Sequence, residues 1–180
     1  MQVQFDPEGD LLIYVGPTRL EYLVCSRALC RASLRWRREL LEGVLAGPEP
    51  QDGQWTMTEA YRKPKPFAIL LNIIHTHFSL VPDSLDLEDP YDLLVMVNDW
   101  GLENTIKPWS RLWWDHVKNQ TNRPLLMWIA NGLGKMEAVR EVARNIQIMC
   151  SVDDEGQLVD DDGVVLCFII RLQPDNVIGE

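Results

Sequence analysis

Several features are missing from this 180-residue chain, and each absence removes a class of function. No stretch approaches the roughly eighteen uninterrupted apolar residues that a helix needs to cross a bilayer, so no membrane span is implied. Met1 to Asp10 has no basic end followed by an apolar run, which predicts no secretory signal and a cytoplasmic or nuclear location. Gly-rich phosphate loops of the P-loop or dinucleotide kind are absent. Cys25, Cys30, Cys150 and Cys167 form no Cys-x-x-Cys pair, so neither a zinc site nor a disulfide framework is indicated; reduced and mostly buried thiols are expected. Histidine is limited to His75, His77 and His116. Nucleophilic catalysis would need Cys or Ser with a His and an orienting acid, and all three histidines lie in predicted helices dense with apolar residues. His75 and His77, two residues apart on a predicted helix, would point about 200° from each other, which does not suit a shared metal. The reading is therefore of a chain that is not an enzyme, with no catalytic, cofactor-binding or metal-binding residues.

Positive charge is also short. Lys and Arg number 17 against 27 Asp and Glu, a net charge of −10, and this argues against a general nucleic-acid binder, whose affinity comes from clustered cations. One local exception stands out, because Arg27, Arg31, Arg35, Arg37 and Arg38 crowd a short segment. A helix cap at Ser33 would break them into two groups, and a solvated face or a partner-facing patch is the expected role.

What is present is enough apolar material, 46% of residues, for one sizeable core or a core with a helical appendage. Leu11 to Val15 is a continuous apolar run bounded by Gly9 and by Gly16-Pro17, and reads as a buried strand; Leu20 to Val24 reads as its hairpin partner. Ser26 is placed to cap a helix carrying Leu29 and Ala32. Ser33 is placed to cap another, with Trp36, Leu40 and Leu41 inward and Gly43 as its stop. Residues 44–54 read as a loop and Trp55 to Tyr61 as a third strand.

Pro66 falls in the first turn of a nearly all-apolar helix, Phe67 to Phe78, the expected spine of the core. An acidic connection from Ser79 to Asp89 leads to a helix opened by Pro90, with Leu93, Leu94, Val97 and Trp100 inward and Gly101 as its end. Leu102 to Val117 continues as helix with Ile106, Trp109, Leu112, Trp113 and Val117 inward, divided at Pro108. Asn119 to Arg123 reads as a domain boundary. A short apolar helix from Pro124 and an amphipathic one, Lys135 to Met149, with Met136, Val139, Val142, Ala143, Ile146 and Met149 inward, follow it. Asp-rich turns around Leu158-Val159 then lead to a strand-like run, Val164 to Ile170. Those turns lack the register of a calcium loop and read as hairpin turns.

The order of these segments resembles the BTB/POZ domain, and in particular the fungal BTB-domain proteins. The carriers are the acidic lead-in Asp6 to Asp10, the strand pair running into Ser26-x-x-Leu-Cys-x-Ala-Ser33 with Trp36 after it, Ala68 to His75, Pro90 to Asp99, and Ile106 to Ser110 with Trp113. Leu172 to Ile178 is similar to the endings of many such chains. The basic Arg62-Lys-Pro-Lys-Pro66 departs from the acidic junction usual in that family. The resemblance implies an α+β fold, a small sheet of about three strands packed on a helical bundle, as a BTB/POZ domain over 5–118. A C-terminal helical extension with a short β tail over 123–180 completes the expectation. It implies a protein–protein interaction module, either a substrate adaptor bound to a cullin scaffold of a ubiquitin ligase, or a self-associating scaffold or transcriptional co-regulator. The implied partner surface comprises Val81, Asp83, Leu85, Leu87 and Tyr91. With about eight residues ahead of Gly9, a monomer or a dimer without strand exchange is expected.

Overall fold

In the computed structural model, which describes residues 2–86, 88–119 and 123–159, Gln2–Gln4 (β1), Leu11–Val15 (β2), Leu20–Val24 (β3) and Trp55–Glu59 (β4) form one mixed sheet. The strand order is β1-β3-β2-β4. β2 and β3 are an antiparallel hairpin that sets Leu11 opposite Val24 and Val15 opposite Leu20. β4 returns parallel to β2, and β1 lies parallel to β3. β2 is thus flanked on both edges, and Leu11, Ile13 and Val15 are fully enclosed with Leu12 nearly so. A strand buried on both faces has no reason to alternate, which is why its sequence reads as an unbroken apolar run. The sheet has one strand more than the expected three. β1, Gln-Val-Gln, is exposed along its length and held by the ladder rather than by burial, so it carries no apolar signal to read.

The hairpin delivers the chain to Ser26–Ala32 (α1) and Leu34–Glu42 (α2). Ser26 does not cap α1 with its own oxygen. Its N–H and its hydroxyl both donate to the Asp10 carboxylate, at 2.7 and 2.6 Å, so the cap comes from the residue just before β2. Negative charge at that end also opposes the helix dipole favourably. Ser33 caps α2 as expected, accepting from Trp36 N–H at 3.1 Å while its hydroxyl donates to the Trp100 carbonyl. Gly43 ends α2 where a Cβ would lie 2.3 Å from the Glu39 carbonyl oxygen, so no larger residue fits without moving the last turn. Leu40 is buried but Leu41 is half exposed; adjacent residues sit about 100° apart on a helix, and only one of them can face the core.

Pro64–Ile74 (α3) begins on Pro64, two residues ahead of Pro66, and buries Phe67, Ile69, Leu70, Leu71 and Ile73. It stops four residues short of the expected Phe78, because His75 takes the cap position and Thr76 has φ of 64°. Phe78–Leu80 is instead a 3-10 turn in the connection. Glu88–Trp100 (α4) starts two residues before Pro90 and buries Leu93, Leu94, Met96, Val97 and Trp100. Glu103–Ile106 (α5) follows, and the chain breaks at Pro108, as a proline within a helical pattern requires. The centre of this core is aromatic. Trp36 lies 4.4 Å from Trp100 and 6.2 Å edge-on from Phe67 between ring centroids, and Phe67 stacks at 6.1 Å on Tyr22.

The described chain divides into two compact units between Trp109 and Ser110, ahead of the boundary read at 119–123. The second unit holds Ser110–Val117 (α6), Arg123–Gly132 (α7) and Met136–Met149 (α8). α6 belongs with it because Trp114 packs on the cluster of Met127, Ala130, Val139 and Ile146. Leu112 and Met136, expected inward, are each 47% exposed. Ser151–Val152 (β5) and Leu158–Val159 (β6) close a short antiparallel hairpin, whose turn is tied by the Asp153 carboxylate accepting from Glu155 and Gln157 N–H groups. Val164 to Ile170, Leu172 to Ile178 and Cys167 lie outside the described residues.

Candidate partner-binding surface

The five residues expected at the partner surface separate by burial. Val81 and Leu85 are 7% and 2% exposed. Both are buried where a partner surface would expose them: these two side chains face inward and pin the connection between α3 and α4 to the unit. Asp83 is exposed and Tyr91 half-buried, while Leu87 lies outside the described residues. The apolar surface of the same connection is supplied by two residues the sequence reading passed over. Phe78 is 55% and Leu80 64% exposed, both in the 3-10 turn, and Phe78 lies 5.6 Å from the Trp109 ring. Their signal was masked because Phe78 continued the helical spacing of α3.

The basic junction finds its partners on α4 and the residues before it. The Arg62 guanidinium donates to Asp99 at 2.7 Å and lies 5.0 Å over the Trp100 ring. Lys63 pairs with Asp92 at 2.8 Å, and Lys65 donates to Asp89. Each cation of this junction therefore meets a carboxylate of the following helix. Glu59, at the end of β4, is held above the usual carboxylate range by burial, which outweighs the Arg62 guanidinium 3.6 Å away.

A second cluster gathers Asp6, Cys25, His75 and His77 around a shallow depression beside α1. Cys, His and Asp together invite a nucleophilic reading, and the hydrogen bonds of His75 do not serve it. His75 Nε2 accepts from the backbone N–H of Cys25 at 3.1 Å, and Nδ1 lies 2.9 Å from the Leu71 carbonyl. The ring is thereby a neutral Nδ1–H tautomer with both nitrogens engaged, and neither is left to take a proton from the Cys25 thiol. Its work is structural, joining the end of α3 to the β3–α1 junction. Cys25, Cys30 and Cys150 are free and half-buried rather than enclosed, and burial raises the Cys30 thiol.

Burial also lowers the pKa of His75. The unfolded chain therefore binds a proton that the folded chain refuses. This contribution to stability is complete above the ordinary histidine value of about 6.5 and is lost as pH falls from there toward the depressed folded value. Urea midpoints at pH 7.5 and 5.5 are expected to fall more for the native chain than for His75→Gln; equal falls would remove His75 from the acid sensitivity.

A third feature is an open groove of about 880 Å³ between α1, α2 and the start of β4. Among the described residues no cluster of three or more His, Cys, Asp or Glu could hold a metal ion, and no helix is long and apolar enough to cross a membrane. No protein-family model and no curated protein matches the chain.

Proposed function

We propose that the chain is a protein–protein interaction module of the BTB/POZ type, working as a substrate adaptor on a cullin scaffold of a ubiquitin ligase and not as an enzyme. The observation that carries the reading is the exposed apolar pair Phe78 and Leu80 on the connection between α3 and α4, beside the acidic Asp83 and Asp86. The resemblance to BTB domains assigns partner binding to this stretch. The surrounding order supports it: a strand hairpin, a helical hairpin, a third strand parallel to the first of the hairpin, then an apolar helix. Large apolar side chains in water beside charged neighbours are the composition of a binding surface, and such anchors carry about 1–2 kcal/mol or more each in a complex.

Purified chain and the N-terminal region of a fungal cullin test this directly. Binding is expected, with a loss of at least tenfold in affinity for Phe78→Ala/Leu80→Ala and an unchanged thermal midpoint. No binding by the unsubstituted protein sinks the adaptor reading. A concentration-dependent dimer broken by the same substitutions would transfer the surface to self-association.

A further inference from the structure

We infer that the groove between α1 and α2 is a docking site for an acidic peptide segment carrying apolar side chains. It lies on residues other than Phe78 and Leu80 and does not rest on the cullin reading. Two properties coincide in it. Arg27, Arg31 and Arg37 line it, and none of the three enters an ion pair among the described residues, whereas Arg35, Arg62, Lys63 and Lys65 are each matched to a carboxylate. In a chain with ten more negative than positive charges, cations left unmatched on one wall form a local reversal of sign.

Leu34 and Leu41 stand between the arginines, 73% and 50% exposed, where α2 could have shown polar residues at no cost to its core face of Trp36 and Leu40. A shallower depression formed by Leu34, Arg37, Arg38, Leu41 and Glu42 extends the same surface. The acidic groups in the lining do not cancel it. Asp10 has its carboxylate engaged by Ser26, which leaves Glu49 in the groove and Glu42 in its extension against Arg27, Arg31, Arg37 and Arg38.

The occupant is fixed by charge complementarity and by the leucines together. A nucleic acid would satisfy the cations, but it meets repulsion from the rest of the chain, and for stacking it finds one half-buried indole, Trp55, among three leucines. A purely apolar helix would leave three guanidinium groups beside an uncharged face. A segment alternating Asp or Glu with Leu, Phe or Trp answers both, with exposed charge pairs setting encounter rate and salt dependence and the buried leucine contacts setting residence.

The test uses the full chain and a fluorescent peptide of about fifteen residues, rich in Glu and Leu with one Trp. Two control peptides accompany it, one with Gln for every Glu and one with Ala for every apolar residue. Fluorescence anisotropy is expected to show micromolar binding that weakens several-fold between 50 and 300 mM salt. Both controls should lose at least tenfold, as should the Arg27→Glu/Arg31→Glu and Leu34→Ser/Leu41→Ser variants, with circular dichroism unchanged. Equal binding of the Gln peptide, retention by both variants, no binding at 50 mM salt, or an equal affinity for a single-stranded oligonucleotide would overturn the proposal. So would sedimentation showing a native dimer that Leu34→Ser/Leu41→Ser dissociates, since a second copy would then fill the groove. Phe78→Ala/Leu80→Ala is expected to leave peptide binding unchanged, which separates this surface from the cullin-facing one.

Discussion

Trp36→Ala is expected to lower the stability of the first unit by about 3–5 kcal/mol, a fall in thermal midpoint on the order of 10–20 °C. Trp36 is 1% exposed and stands where α2 meets both α3 and α4, against Phe67 and Trp100. Truncation leaves a cavity bordered by two aromatic rings that cannot close on it, since Trp100 is also held by Arg62 over its face. Trp36→Phe should behave differently. The indole N–H of Trp36 is buried with no acceptor among the described residues, a state that costs about 1–3 kcal/mol. Phenylalanine removes that unmatched donor while keeping most of the ring area, so a loss of no more than about 1–2 kcal/mol is expected. Urea denaturation of the three proteins checks the order. A Trp36→Phe variant as unstable as Trp36→Ala would mean that ring shape, and not the cavity, dominates.

The parts of this fold that were legible in the sequence are those where one physical cause writes the pattern. A strand enclosed on both faces writes an uninterrupted apolar run, as Leu11 to Val15 does. A serine cap followed by an apolar face writes α2, and Pro108 interrupts a helical period where α5 and α6 separate. Errors arose where two causes share one pattern. Phe78 continues the spacing of α3, yet the backbone has already turned at Thr76, so an exposed side chain read as core. Leu41 read as inward together with Leu40, and only the three-dimensional exposure separates the two. Remote partners left no local trace at all. The cap of α1 comes from Asp10, sixteen residues upstream, and the partners of Arg62, Lys63 and Lys65 lie some 24 to 37 residues along the chain. Within the connection between α3 and α4 the sequence did not separate the buried Val81 and Leu85 from the exposed Phe78 and Leu80, because apolar residues in an acidic loop can face inward or outward equally well.

Leu85→Ala is the substitution that exposes this difference, with an expected cost of about 2–5 kcal/mol and no direct effect on any partner. The side chain is 2% exposed in a connection whose backbone is tied by the 3-10 turn and by the bond from Asp89 N–H to the Asp86 carbonyl, and it supplies an apolar pin beside them. Val81, 7% exposed, is the second pin. Removing either anchor frees the segment that carries Phe78, Leu80 and Asp83, and an ordered surface then becomes a set of conformations, only some of which can bind. Partner affinity should therefore fall in Leu85→Ala through the population of the competent state, in proportion to the fraction that remains ordered. Limited proteolysis separates the two routes. Cleavage within residues 79–88 is expected to accelerate at least tenfold in Leu85→Ala and to stay at the native rate in Phe78→Ala/Leu80→Ala, although both variants lose partner binding. Acceleration in the second variant, or a Leu85→Ala protein as stable and as protected as the native chain, would place Leu85 on the surface after all.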